Sequence, residues 1–204
     1  MPIVPRVDIA RVEALLARER RVILGITGPP GAGKTRLARD ITSSFDDAVH
    51  VPMDGFHLAD AELRRLGRLD RKGAIDTFDS YGYLALIERM RRRPKQMIYA
   101  PAFDRDIEQP IAGSIPVPPE TRLVVTEGNY LLDDDAPWPA IAARLQQVWY
   151  VEVARAERHR RLVARHVEFG KTPQQAEAWV RDVDDPNAAR VESTRAAADL
   201  VVTF

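Results

Sequence analysis

The stretch Gly28-Pro29-Pro30-Gly31-Ala32-Gly33-Lys34-Thr35 constrains this chain more than any other, because that spacing of glycines, lysine and hydroxyl serves one kind of ligand. It follows a continuous apolar run over 21–27, which reads as a buried parallel strand, and precedes helical spacing near 34–45. Backbone N–H groups of a glycine-rich loop can approach phosphate oxygens closely, where side chains would block them. Lys34 then reaches the β- and γ-phosphates of a nucleotide, and the Thr35 hydroxyl ligates Mg²⁺. The helix starting near Gly33 points its positive end at the anion. Gly28, Gly31, Ala32, Gly33, Lys34, Thr35 and Arg36 are therefore the expected contacts to ATP.

Further apolar runs at 48–53, 122–126, 147–153 and 199–203 read as strands. Helical periodicity falls at 8–20, with Asp8 as N-cap, and at 80–93, 137–145, 155–169 and 173–183. Strands alternating with helices imply an α/β fold, a parallel sheet of about five strands with helices on both faces. The stretch 94–120, rich in Pro and Gly, reads as a loop with a short strand or hairpin and as a substrate-side excursion. Trp149, Trp179, Met90 and Met97 sit in apolar-periodic contexts and read as core, and Arg91-Arg92-Arg93 as a helix end.

With 204 residues and 45% hydrophobic content, the chain fits a single domain over 1–204 that buries a core. Thirty basic and thirty acidic side chains cancel, which argues against a general nucleic-acid binder. No apolar run approaches the ~18 residues of a membrane span, and residues 1–8 do not read as a signal peptide. The expectation is a cytoplasmic protein without membrane or nucleic-acid partners. The absence of cysteine excludes a disulfide scaffold, a thiolate metal site and a cysteine nucleophile.

Two acids follow strands. Asp54, in Val51-Pro52-Met53-Asp54-Gly55-Phe56-His57, stands where an open α/β sheet faces its ligand crevice. There it could take the proton of an attacking hydroxyl, or simply make an Asp-Gly turn. Glu127, after Leu123-Val124-Val125-Thr126, suits Mg²⁺ beside Thr35, or a turn hydrogen bond. Arg158, Arg161 and Arg165 recur at helical spacing, so one face could close on a triphosphate; pairing of Glu157 with Arg161 on a solvated helix is the alternative.

The combination of this glycine loop with Met53-Asp54-Gly55-Phe56-His57 and Glu127-Gly128-Asn129-Tyr130 resembles the P-loop kinases that include uridine kinase, phosphoribulokinase and bacterial pantothenate kinase. Within that group it looks most like the kinases named for fructose transport systems, called fructokinases. The resemblance spans roughly 20–204. It implies a P-loop NTPase fold with sheet order 2-3-1-4-5, Asp54 as catalytic base and Glu127 as the acid after the Walker-B strand. It also implies a helical lid over about 158–180 with Lys171 near its tip and with Arg161 and Arg165 acting on the phosphates. His57 is similar to the phosphoribulokinase version of its motif, and Asn129 and Tyr130 fall beside the acceptor. Pro101-Ala102-Phe103-Asp104-Arg105 occupies the place of a Pro-x-Tyr-Asp motif in uridine kinases, but Phe103 replaces the tyrosine and no histidine follows, which speaks against a pyrimidine nucleoside. Asp104 and Arg105 remain candidates for hydrogen bonds to a polyol or phosphorylated substrate, or a solvated loop pair. Thr194 and Arg195 match the segment near the adenine, and Asn187 either joins it or caps a helix. The resulting expectation is an ATP- and Mg²⁺-dependent kinase acting on a hydroxyl of a small metabolite, with fructose or a related sugar first and a homodimer as the assembly considered. Pantothenate, ribulose phosphate or a nucleoside are alternative acceptors, and a regulatory nucleotide-binding ATPase module is the alternative of another class.

Overall fold

The computed structural model describes residues 6–92 and 95–203; the readings placed on 1–5, Arg93 and Pro94 lie outside them. The elements run α1 (Arg6–Leu16), β1 (Val22–Thr27), α2 (Lys34–Thr42), β2 (Ala48–Pro52), α3 (Asp60–Arg65), α4 (Ser80–Arg91), β3 (Ile98–Asp104) and β4 (Gln109–Val117). They continue with β5 (Leu123–Glu127), α5 (Trp138–Ala142), β6 (Gln147–Glu152), α6 (Arg155–Glu168), α7 (Pro173–Trp179), α8 (Asp185–Ser193) and β7 (Leu200–Thr203). Among the described residues, five parallel strands form one sheet in the order β2-β5-β1-β6-β7. Numbered within that sheet this is 2-3-1-4-5, as the family resemblance implied.

The central strands are apolar on both faces because both faces are covered. Ile23, Val124, Val148 and Tyr150 point into one core with Tyr83 and Ile87 of α4 and Trp138 of α5. Their neighbours Val22, Leu24, Ile26, Val125 and Trp149 point the other way, into a second core closed by Val12 of α1 and Leu37 and Ile41 of α2. The period of two that divides these sets is the strand's own pleat. Register then aligns the functional ends: Glu127 of β5 sits opposite both Ile26 of β1 and Pro52 of β2.

Outside this sheet, β3 and β4 pair antiparallel, so the 94–120 excursion is a hairpin. It lies against the 3₁₀ turn Met53–Phe56 that follows β2. Gly55 permits that approach, since a Cβ there would collide with the Pro101 carbonyl.

Some sequence expectations fail for packing reasons. Asp8 is the third residue of α1, which begins at Arg6, before the expected start. Asn187 is the third residue of α8 and caps nothing; the α7 helix instead runs through a π-helical turn, Val180–Asp184, into α8. Trp149 and Met90 are core, but Met97 is exposed and Trp179 is half-buried against a cavity. Periodicity cannot separate an apolar residue that faces a core from one that faces a cleft.

Candidate active site

Three glycines with positive φ, Gly28 (144°), Gly31 (79°) and Gly33 (98°), shape the loop between β1 and α2. At Gly28 a Cβ would stand 2.6 Å from the Val151 carbonyl oxygen, so no larger residue fits the turn. Lys34 opens α2 and folds its amine back, donating to the carbonyls of Gly28 (2.9 Å) and Pro29 (3.1 Å) and to Asn129 Oδ1 (2.6 Å). Burial pushes this amine down to about 8, against the opposing pull of Glu127 and Asp54. Thr35 Oγ1 donates to Glu127 Oε1 at 2.9 Å. Burial alone would push the Glu127 carboxyl up, but His50, Lys34 and Thr35 outweigh it and hold it below the ordinary value. His50 Nε2 stands 3.7 Å from Glu127 Oε1, beyond the distance of a good hydrogen bond.

Asp54 opens into the same cavity from the turn after β2, and its Oδ2 accepts from Arg105 Nη2 at 3.2 Å. His57 Nδ1 lies 2.8 Å from the Asp54 carbonyl oxygen, which makes Nδ1 the protonated nitrogen. Burial pushes the His57 pKa down, favouring the neutral ring, which is flanked by Phe78 (4.1 Å) and Phe103 (4.7 Å). Lys72 donates to Asp60 Oδ1 at 2.6 Å and to the Glu108 carbonyl, tying the 58–79 segment to the hairpin tip.

From the opposite wall comes α6. Arg165 reaches the cavity and has no hydrogen-bond or ion-pair partner among the described residues. Burial, then the charge of Arg105, pushes its pKa down. Arg161 also lines the cavity but donates to Glu157 Oε1 at 2.6 Å. Lys171 lies 4.6 Å over the Trp179 ring. The cavity between these walls holds about 590 Å³. A phosphate loop, an inward guanidinium and an acid beside an open pocket make an arrangement suited to phosphoryl transfer.

No family model matches the sequence. A uridine-kinase-like protein of Schizosaccharomyces pombe (strain 972) is 31% identical over an alignment that spans 94% of this chain and 87% of that protein. An ATP-dependent kinase-like protein, notR', of Aspergillus versicolor is 36% identical over 62% of this chain and 77% of its own length. The crystal structure of a fructose-transport-system kinase-like protein from Silicibacter sp. TM1040 superposes with a TM-score of 0.86 at 34% identity, covering 95% of this chain and 98% of that one. The chain belongs to the uridine-kinase-like P-loop kinases. It is an ATP-dependent phosphotransferase.

Of the residues expected at its site, the kinase brings Gly31, Gly33, Lys34, Thr35, Asp54, His57, Phe103, Arg105, Glu127, Asn129, Arg161 and Arg165 to one cavity. Gly28 and Ala32 shape the loop from behind, and Arg36 turns outward beside Asp40. Asp104 does not reach the cavity, because its carboxylate accepts from the backbone N–H groups of Asp106 (2.9 Å) and Ile107 (3.3 Å) in the hairpin turn. Tyr130 is a core residue, with its hydroxyl donating to the Gly73 carbonyl at 2.6 Å. Arg158 does not share the cavity face of α6; it is buried and donates to Asp185 Oδ1 at 2.8 Å. Thr194 and Arg195 do not line the cavity, Thr194 donating to the Val191 carbonyl and Arg195 to Glu152.

Sequence reading missed Lys72, His166 and Asp184, while Asn187, left open between the adenine side and a helix cap, lines the cavity. His166 Nε2 lies 2.7 Å from Asp184 Oδ2, joining α6 to the π-helical turn. One signal was available for Lys72: the chain has 26 arginines and four lysines, and three of those lysines, Lys34, Lys72 and Lys171, line the cavity.

Proposed function

We propose that this kinase transfers the γ-phosphoryl group of Mg·ATP to a hydroxyl of a small metabolite, with Asp54 as the base. The observation that carries this reading is that Asp54 and the Lys34–Thr35–Glu127 cluster open on one cavity from adjacent strand ends. Lys34 exchanges its carbonyl partners for phosphate oxygens, and Arg165, with Arg161 as its neighbour, neutralises charge that develops in transfer. Thr35 and Glu127 fit a magnesium ion, since a hydroxyl and a carboxylate converge at 2.9 Å, and these two residues would hold it. Such an ion screens phosphate charge. Asp54 takes the acceptor's proton, and His57 and Phe103 bound the acceptor. The segment 158–180 serves as the lid, the hairpin in 94–120 as the substrate side, and Asn187 marks the adenine side.

Fructose or a related sugar is the first acceptor to test, by likeness to the fructose-transport-system kinases. The test is an ADP-release screen over sugars, vitamins and nucleosides, paired with acceptor-independent phosphate release. Asp54→Asn is expected to lower acceptor phosphorylation by about 10²–10⁴, while background hydrolysis changes far less. Equal falls in both rates assign Asp54 to the metal or the fold instead.

A further inference from the structure

At the acceptor end of the cavity, two cations flank Phe103, and they differ in how fully they are used. Lys72 lies 5.2 Å from the ring centroid with two of its three N–H donors on Asp60 and the Glu108 carbonyl. Arg105 lies 5.8 Å from the same ring, at the start of a turn that Asp104 holds in place. Its guanidinium spends one of five N–H donors, on Asp54, at 3.2 Å, longer than the 2.7–2.9 Å usual for a charged pair. The contact is a loose one, and it uses one oxygen of the carboxylate proposed as base.

We infer that the acceptor is, in place of neutral fructose, a hydroxyl compound bearing an anionic group, a carboxylate or a phosphate, and that this group draws Arg105 away from Asp54. The inference rests on the proposed role of Asp54. A neutral polyol can reach the other oxygen of Asp54, but it offers Arg105 nothing better than this single long contact. An anionic acceptor brings a replacement: Arg105 keeps an ion pair, with bidentate geometry open to it, and Asp54 is released to the hydroxyl. Over the cavity as a whole, Asp54, Asp60, Glu108, Glu127 and Asp184 are matched by Lys34, Lys72, Arg105, Arg161, Arg165 and Lys171, so no excess of acids repels an anion.

The test uses the full chain, loaded with magnesium and a non-hydrolysable ATP analogue, and matched probe sets of three to six carbons. Each set holds the polyol, its aldonate and its terminal phosphate. Calorimetry measures binding, and a separate assay with ATP measures transfer. At least one charged probe is expected to bind about tenfold or more tighter than its neutral partner, the contrast of one charge-assisted hydrogen bond. Arg105→Gln, a change at a part-exposed side chain, brings that contrast within twofold with an unchanged Tm. Asp54→Asn removes the competitor for Arg105 and tightens the charged probe while transfer falls. Aldonate against phosphate identifies the group. Neutral and charged members binding alike, a contrast that survives Arg105→Gln, or no charged probe binding, each overturns the inference. Arg105-dependent binding together with full transfer by Asp54→Asn overturns the base assignment and leaves the anion site standing.

Discussion

Lys34 is charged in a place that penalises charge, and its pH behaviour follows. Burial brings its pKa to about 8, so the free enzyme carries the cation below that pH and loses it above. Because kcat/KM reports the free enzyme, kcat/KM for ATP is expected to fall about tenfold per pH unit above pH ~8. Bound phosphates favour the cation, so kcat holds to higher pH. Lys34→Arg, which does not titrate in this range, removes the alkaline fall in kcat/KM at a lower plateau. Parallel pH profiles of the two proteins check this, and an alkaline limb that persists in Lys34→Arg assigns the titration to another group.

At the scale of elements, α6 presents two arginines to the cavity that differ in their partners. Arg165 is unpaired among the described residues, whereas Arg161 is held by Glu157. Arg165→Ala is expected to lower kcat by about 10²–10³, the loss usual for one group stabilising transition-state charge. Arg161→Ala costs less than about tenfold, because an exposed i,i+4 partner competes for it. Steady-state kinetics of both variants decide, and the reverse ranking sinks the assignment. On α8, Arg190 donates to both oxygens of Asp133 (2.6 and 2.7 Å), pinning the loop after β5. Burial alone would raise the Asp133 carboxyl, but Arg190 outweighs it and holds it below its ordinary value. A depressed carboxylate stabilises the fold above its ordinary pKa of about 3.9, and that contribution fades as pH falls through the lower folded value. Asp133→Asn is therefore expected to cost about 1–3 kcal/mol near pH 7, with the gap in thermal stability closing below pH ~4. A gap that stays constant to pH 3 means the loss comes from packing.

For the whole molecule, the nucleotide loop joins the two cores, because β1 contributes Ile23 to one and Val22, Leu24 and Ile26 to the other. Binding at the loop is thus coupled to global unfolding. ADP with magnesium at 100 times its dissociation constant is expected to add about 2.7 kcal/mol, a rise in Tm of roughly 5–10 °C for a chain of this size. Lys34→Ala loses most of that rise at the same ADP concentration. Differential scanning calorimetry measures both, and an equal shift in the variant places nucleotide binding elsewhere.

The phosphate loop, the five sheet strands and the acids at their ends were legible in the sequence because each rests on local chemistry. Backbone conformation demands glycine at particular places, and strands buried on both faces demand continuous apolar runs. The positions of Asp54 and Glu127 followed, since a residue just past a parallel strand has few places to go. What the sequence left open depends on which way side chains turn after the chain packs. Asp104 and Arg105 are adjacent, yet one is consumed by the hairpin turn and the other reaches Asp54, 51 residues away. Tyr130 and Asn129 are adjacent, yet one enters the core and the other meets Lys34. Lys72, His166 and Asp184 come to the cavity from segments whose own spacing carries no such signal. A helix or strand period specifies a face, but only the packing of the other elements decides whether that face looks onto core, cavity or solvent.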